Sequence, residues 1–156
     1  MALGLPTLLA FALALMGQSL SVQDLSGQWV QYSAPLDKRS PPICGTACGI
    51  TQPGNNLVVK DSWGDTKTYD LSGKPSVISA QNGRFSSQIT TTAVWESGVL
   101  VITRITKETT PGTSTSGLKT VAKLALREDN LIISGTYPKL GTGEEQKYEV
   151  TYRRKR

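Results

Sequence analysis

Lys119-Thr120-Val121-Ala122-Lys123-Leu124-Ala125-Leu126-Arg127 alternates with a period of two: Thr120, Ala122, Leu124 and Leu126 fall on one side, and Lys119, Lys123 and Arg127 on the other. Successive side chains of a strand point to opposite faces, so the run predicts a β-strand with one buried and one wetted face. Gln146 to Arg154 repeats the pattern, with Tyr148, Val150 and Tyr152 opposite Lys147, Glu149, Thr151 and Arg153. From Gly27 onward no stretch sustains an apolar 3.6-residue period for three turns. The chain is read as all-β.

Working outward, turn signals separate the apolar runs at short intervals: Gly64-Asp65, Ser72-Gly73, Asn82-Gly83, Ser97-Gly98, Pro111-Gly112, Asp129-Asn130 and Gly141-Thr142-Gly143. Strands are expected near 26–32, 56–61, 66–71, 84–96, 98–109, 117–127, 130–137 and 145–154, with a short one at 76–80. The fold class that follows is an antiparallel up-and-down meander of about eight to nine strands closing into a barrel, since closure removes exposed sheet edges. A barrel of about eight strands is just wide enough to be filled by side chains or to hold one small ligand. Tyr32 to Asn55 stands apart as a long Pro- and Gly-rich segment, expected to be a surface loop or a lid.

The apolar, uncharged stretch Ala2 to Met16, with small residues Gly17, Ser19 and Ser21 after it, reads as a signal-peptide helix over residues 1–21. It is shorter than the roughly 20 residues needed to span hydrocarbon. The remaining segment, 22–156, is expected to be a single barrel domain, exported to the periplasm or secreted. In that compartment Cys44 and Cys48 are expected to form a disulfide, a local staple across a turn that Gly45 and Gly49 permit. Their CxxxC spacing, with no third cysteine, offers neither a redox pair nor a metal site.

Of 156 residues none is histidine, which removes Ser-His-Asp and Cys-His catalysis, His-bearing zinc sites and the commonest general base. No catalytic residue, metal or cofactor is assigned, and the chain is not read as an enzyme. The net charge of +5 is concentrated at the end, where Arg153-Arg154-Lys155-Arg156 supplies four of 17 cations and leaves 13 against 12 acids. A nearly neutral body without a basic, aromatic-interleaved face argues against nucleic acid. Contact of the basic tail with an anionic membrane surface stays open, and a monomer is expected.

Leu25-Ser26-Gly27-Gln28-Trp29 resembles the Gly-x-Trp opening of the first strand in lipocalins and other calycin barrels. Thr92 to Ile102, the Leu126-Arg127-Glu128-Asp129-Asn130-Leu131 turn and Tyr148 to Arg153 extend the likeness to small secreted bacterial lipocalin-like proteins, mostly uncharacterised. The resemblance implies a structural plug in which Gly27 and Trp29 close one barrel end under Arg153 or Arg154, by stacking of a guanidinium over the indole. Neither a second lipocalin motif nor a biotin-type aromatic box around Trp95 is present.

Parity places Ile89, Thr91, Ala93 and Trp95 on one interior stripe, Leu124 on another, and Tyr148 and Tyr152 on the last. Such stripes ordinarily fill a core, yet they also suit a pocket with apolar walls and a few orienting hydroxyls. Two functions therefore remain in play. One is a non-enzymatic exported protein binding a small apolar or amphipathic ligand; the other is a solid-core, envelope-associated protein contacting another protein or anionic lipid.

Overall fold

The computed structural model describes residues 22–33, 43–110, 112–114, 117–139 and 142–156; the expected leader, 1–21, lies outside them. The described chain is an antiparallel, nearly closed barrel of β1 (Gly27–Gln31), β2 (Ala47–Thr51), β3 (Asn56–Asp61), β4 (Thr66–Asp70), β5 (Ser76–Asn82), β6 (Phe85–Glu96), β7 (Val99–Thr110), β8 (Thr113–Ser114), β9 (Leu118–Arg127), β10 (Asn130–Pro138) and β11 (Glu145–Arg154). The strands run β4-β3-β2-β1-β11-β10-β9-β7-β6-β5, and the two-residue β8 hangs on β7. Ten strands thus build the wall, where eight or nine were expected.

The difference lies mainly in β2, inside the segment expected to be a loop. Ala47–Thr51 is too short, and too interrupted by Gly49, for alternation to register, yet it pairs with both β1 and β3. Cys48 and Ile50 point inward and are buried. Residues 43–51 are therefore a turn and a wall strand, while 34–42 lie outside the described residues. The Cys44–Cys48 disulfide is formed, so the staple pins the entry to β2.

Two hairpins turn on left-handed pairs, Ser97-Gly98 (φ 50° and 80°) and Glu128-Asp129 (φ 48° and 63°). Positive φ at both central residues matches the twist of the flanking strands, which keeps the long β6–β7 and β9–β10 ladders in register. The N- and C-terminal strands pair, with Trp29 opposite Arg154. The seam of the barrel lies instead between β4 and β5, which are the two ends of the strand order. There the turn after β4 is tied to β6 by the Gly73 N–H donating to the Ala93 carbonyl at 3.1 Å.

The register stacks inward residues in lateral rows. Trp95, Leu100, Leu124, Ile133 and Val150 form one row of large apolar side chains. Leu57, Val59, Ile50 and Leu131 pack into the same core. Leu25 and Trp29 are also buried within it, and the indole N–H donates to the Leu25 carbonyl at 3.0 Å. Gln52 accepts from the Leu25 N–H and Gln23 from the Leu126 N–H, so the segment before β1 is fastened across the wall.

Among the described residues Asp61 is the buried charged side chain. Its carboxylate accepts from the backbone N–H groups of Trp63 and Asp65, both at 3.0 Å, and from Lys67 Nζ at 3.2 Å. Burial alone raises its pKa, but the Lys67 bond and the Asp65 and Trp63 N–H groups outweigh that and hold it below the usual carboxylate value. The tight Asp61–Asp65 turn leaves Trp63 standing in solvent at 64% exposure.

Candidate functional site

One row beyond the packed layer the side chains become small. Ala93, Ile102, Ala122, Gly135 and Tyr148 lie side by side across five strands. Three of these five positions carry no more than a methyl group, and the interior opens there into a cavity of about 640 Å³. Gly135 has no room for a side chain, since a Cβ would run into the Val121 carbonyl and lie 2.9 Å from the Tyr148 hydroxyl. Its absence leaves the Tyr148 ring free to lie across the row.

The next row outward is polar: Thr91, Arg104 and Thr120 are lateral neighbours. Beyond it Ile89, Thr106 and Leu118 form the rim, with Ile78 of β5 opposite Ile89. Ile78 and Leu118 are 63% and 43% exposed, so the cavity opens to solvent past apolar side chains. The β4 side contributes Lys67, Tyr69 and Asp70, and the turn beyond it Lys74.

Tyr152, Tyr148 and Tyr69 sit in the interior, and Tyr137 also borders the cavity. Tyr152 is fully buried and donates to the Gly45 carbonyl at 2.7 Å, clamping the disulfide turn. Tyr148 is buried 6.0 Å from the Tyr137 ring, and its hydroxyl has no hydrogen-bond partner among the described residues. Burial, with a smaller contribution from Tyr69, pushes the Tyr148 phenol far up; burial, then Tyr148, does the same to Tyr152. Burial also raises Tyr69, against the opposing pull of Arg104. All three phenols therefore stay neutral at neutral pH, and Tyr152 donates its proton to Gly45.

Of the residues expected on the interior stripes, Ile89, Thr91, Ala93 and Tyr148 line the cavity. Leu124 and Tyr152 sit in the packed half instead, fully buried. Trp95 packs against that core with its indole N–H unpartnered among the described residues. The interior is thus filled in one half and open in the other. Arg104, Ile102 and Tyr69 also border the cavity, though the stripes read from sequence omitted them. A cation at an inward parity position on β7, two residues from Ile102, was the signal available for Arg104.

At the plug the structure separates the two arginines. Arg154 lies with Cζ 4.7 Å from the Trp29 ring centroid and donates to the Ser26 carbonyl at 2.9 Å. Arg153 points the other way and stacks on Tyr32 at 3.2 Å, because adjacent strand residues face opposite sides. A Cβ on Gly27 would come within 2.8 Å of Arg154 Nη1, so glycine is what lets the guanidinium settle over the indole.

Among the described residues no group of three His, Cys, Asp or Glu side chains is arranged to hold a metal ion. Compared with protein-family models, curated proteins and solved structures, the chain matches none of them.

Proposed function

We propose that this protein is a non-enzymatic, lipocalin-like binding protein that takes a small apolar or amphipathic ligand into its barrel. The observation that carries this reading is the cavity of about 640 Å³ above the row of small residues. Ligand pockets typically span about 300–1,000 Å³, with mostly apolar walls and a few polar groups that orient the guest. Here Ala93, Ile102, Ala122 and Ile89 are the apolar walls, and Thr91, Thr120 and Arg104 are the orienting groups. A half-empty interior weighs against a solid-core interaction protein.

Export to an oxidising compartment fits the same reading, because the Cys44–Cys48 bond persists where thiols are not kept reduced. The test is saturable binding of the apolar fluorophore N-phenyl-1-naphthylamine to purified protein, followed by its emission. Wild type should bind one equivalent. Ala122→Phe, which fills the small-residue row, should abolish the signal while leaving the far-UV circular dichroism of a β-barrel. Fluorophore uptake that never saturates, or that is identical in the filled variant, would sink the proposal.

A further inference from the structure

We propose that the protein forms a two-fold dimer, in place of the monomer expected from its sequence, by antiparallel pairing of β5 with β5 of a second copy.

The strand order ends at β5, and among the described residues no strand pairs with its outer edge. Chain geometry shows which groups that edge presents. The β5–β6 turn is two residues long, Gly83-Arg84, with Asn82 opposite Phe85. The pair flanking such a turn is hydrogen bonded, and bonded and unbonded pairs alternate from there. Ser76, Ile78, Ala80 and Asn82 therefore direct their backbone groups to β6. Val77, Ser79 and Gln81 point theirs away from it, and all seven residues of β5 are exposed.

Open edges are ordinarily blunted by charge, proline, a bulge or brevity. β5 has none of these: Ser76–Asn82 is uncharged and free of proline, and its register with β6 runs unbroken from Ser76 to Asn82. The opposite end of the sheet differs, since β4 is five residues long and carries Lys67 and Asp70. The β5 edge is thus the one built to accept another strand.

Self-complementarity selects a second copy as that strand. Antiparallel pairing centred on Ser79 sets Ser79 against its own counterpart, Val77 against Gln81, Ile78 against Ala80 and Ser76 against Asn82. The outward groups of Val77, Ser79 and Gln81 then form a ladder of about six backbone hydrogen bonds. Two copies of a chain of net charge +5 repel, and they meet here where neither carries a charge. Ile78, 63% exposed, comes to lie beside the small Ala80 of the second copy, with the two Ile78 side chains diagonal neighbours. A two-fold contact occupies both β5 edges and closes, so association stops at two copies.

The experiment is sedimentation velocity of the purified protein from about 1 to 500 μM, the weak end of specific association. Wild type should pass from monomer to dimer as its concentration rises. Ser79→Lys sets two ammonium groups face to face on the axis and should move the midpoint upward about tenfold or more. Ser79→Glu should do the same by itself. An equimolar mixture of the two variants should dimerise at least as well as wild type, because the opposed charges then attract. Far-UV circular dichroism at low concentration, unchanged in both variants, separates lost pairing from lost folding. Wild type that stays monomeric throughout, association that Ser79→Lys leaves alone, a mixture that recovers no dimer, or growth past two copies would each overturn the proposal.

Discussion

Replacing Trp29 by alanine tests whether the plug holds the barrel together. The indole is 1% exposed, so its removal deletes nearly a whole large side chain from the core. Truncations of this kind cost about 3–5 kcal/mol through lost transfer energy and the void left behind. The same change strips the Leu25 carbonyl of its donor at 3.0 Å, in a residue that is fully buried. That adds about 1 kcal/mol or more for an acceptor left unsatisfied. The Arg154 stack is solvent-exposed and contributes about 0.5–1 kcal/mol at most. These effects overlap, so about 4 kcal/mol is the expected loss, a large fraction of the 5–15 kcal/mol typical of whole domains. With a urea slope of about 2 kcal/mol/M, the midpoint should fall by about 2 M. Trp29→Phe keeps most of the apolar bulk and should lose about 1–2 kcal/mol, chiefly the hydrogen bond. Urea unfolding followed by circular dichroism reads both variants without relying on the fluorescence of the residue removed. A Trp29→Ala midpoint within about 0.5 M of wild type, at unchanged slope, would refute the plug and the closed end built on it.

Two other outcomes follow from the polar and covalent ties of the turns. Asp61 holds its proton less tightly when folded than its ordinary value of 3.8, so its stabilisation is complete above about pH 4 and is lost as the pH falls through the lowered value. Asp24 and Asp70 shift in the same direction, so Asp61→Asn should flatten only part of the fall in melting temperature as the pH drops below about 4; a profile parallel to wild type would exclude Asp61 as a contributor. Joining Cys44 to Cys48 closes a very short loop, so Cys44→Ala with Cys48→Ala should cost about 2 kcal/mol in urea unfolding, and dithiothreitol should lower wild type but not the variant.

The alternation in Lys119–Arg127 and Gln146–Arg154 carried the all-β reading, and β9 and β11 occupy nearly those spans. Period-two patterning is written in consecutive residues, which is why it is legible before folding. β2 escaped because its neighbours supply its reason to exist: Ala47–Thr51 is extended by ladders on both sides and by a disulfide at its entry, none of which a five-residue window displays. The candidate site was half visible. Parity put Ile89, Thr91, Ala93 and Tyr148 indoors, but it could not say at what height each would lie.

By itself the sequence determined that the chain is built of two-faced strands, that histidine chemistry is absent, and that the two cysteines can bridge only through a turn, because these follow from strand geometry and side-chain chemistry alone. Tertiary structure decided the rest through register. Aligning Ala93, Ile102, Ala122, Gly135 and Tyr148 across five strands gathers small residues from distant parts of the chain into one layer, and directly beneath it Trp95, Leu100, Leu124, Ile133 and Val150 fill theirs. Whether an apolar stripe becomes core or cavity depends on the summed volume of a lateral row, a quantity that exists only once the strands are paired.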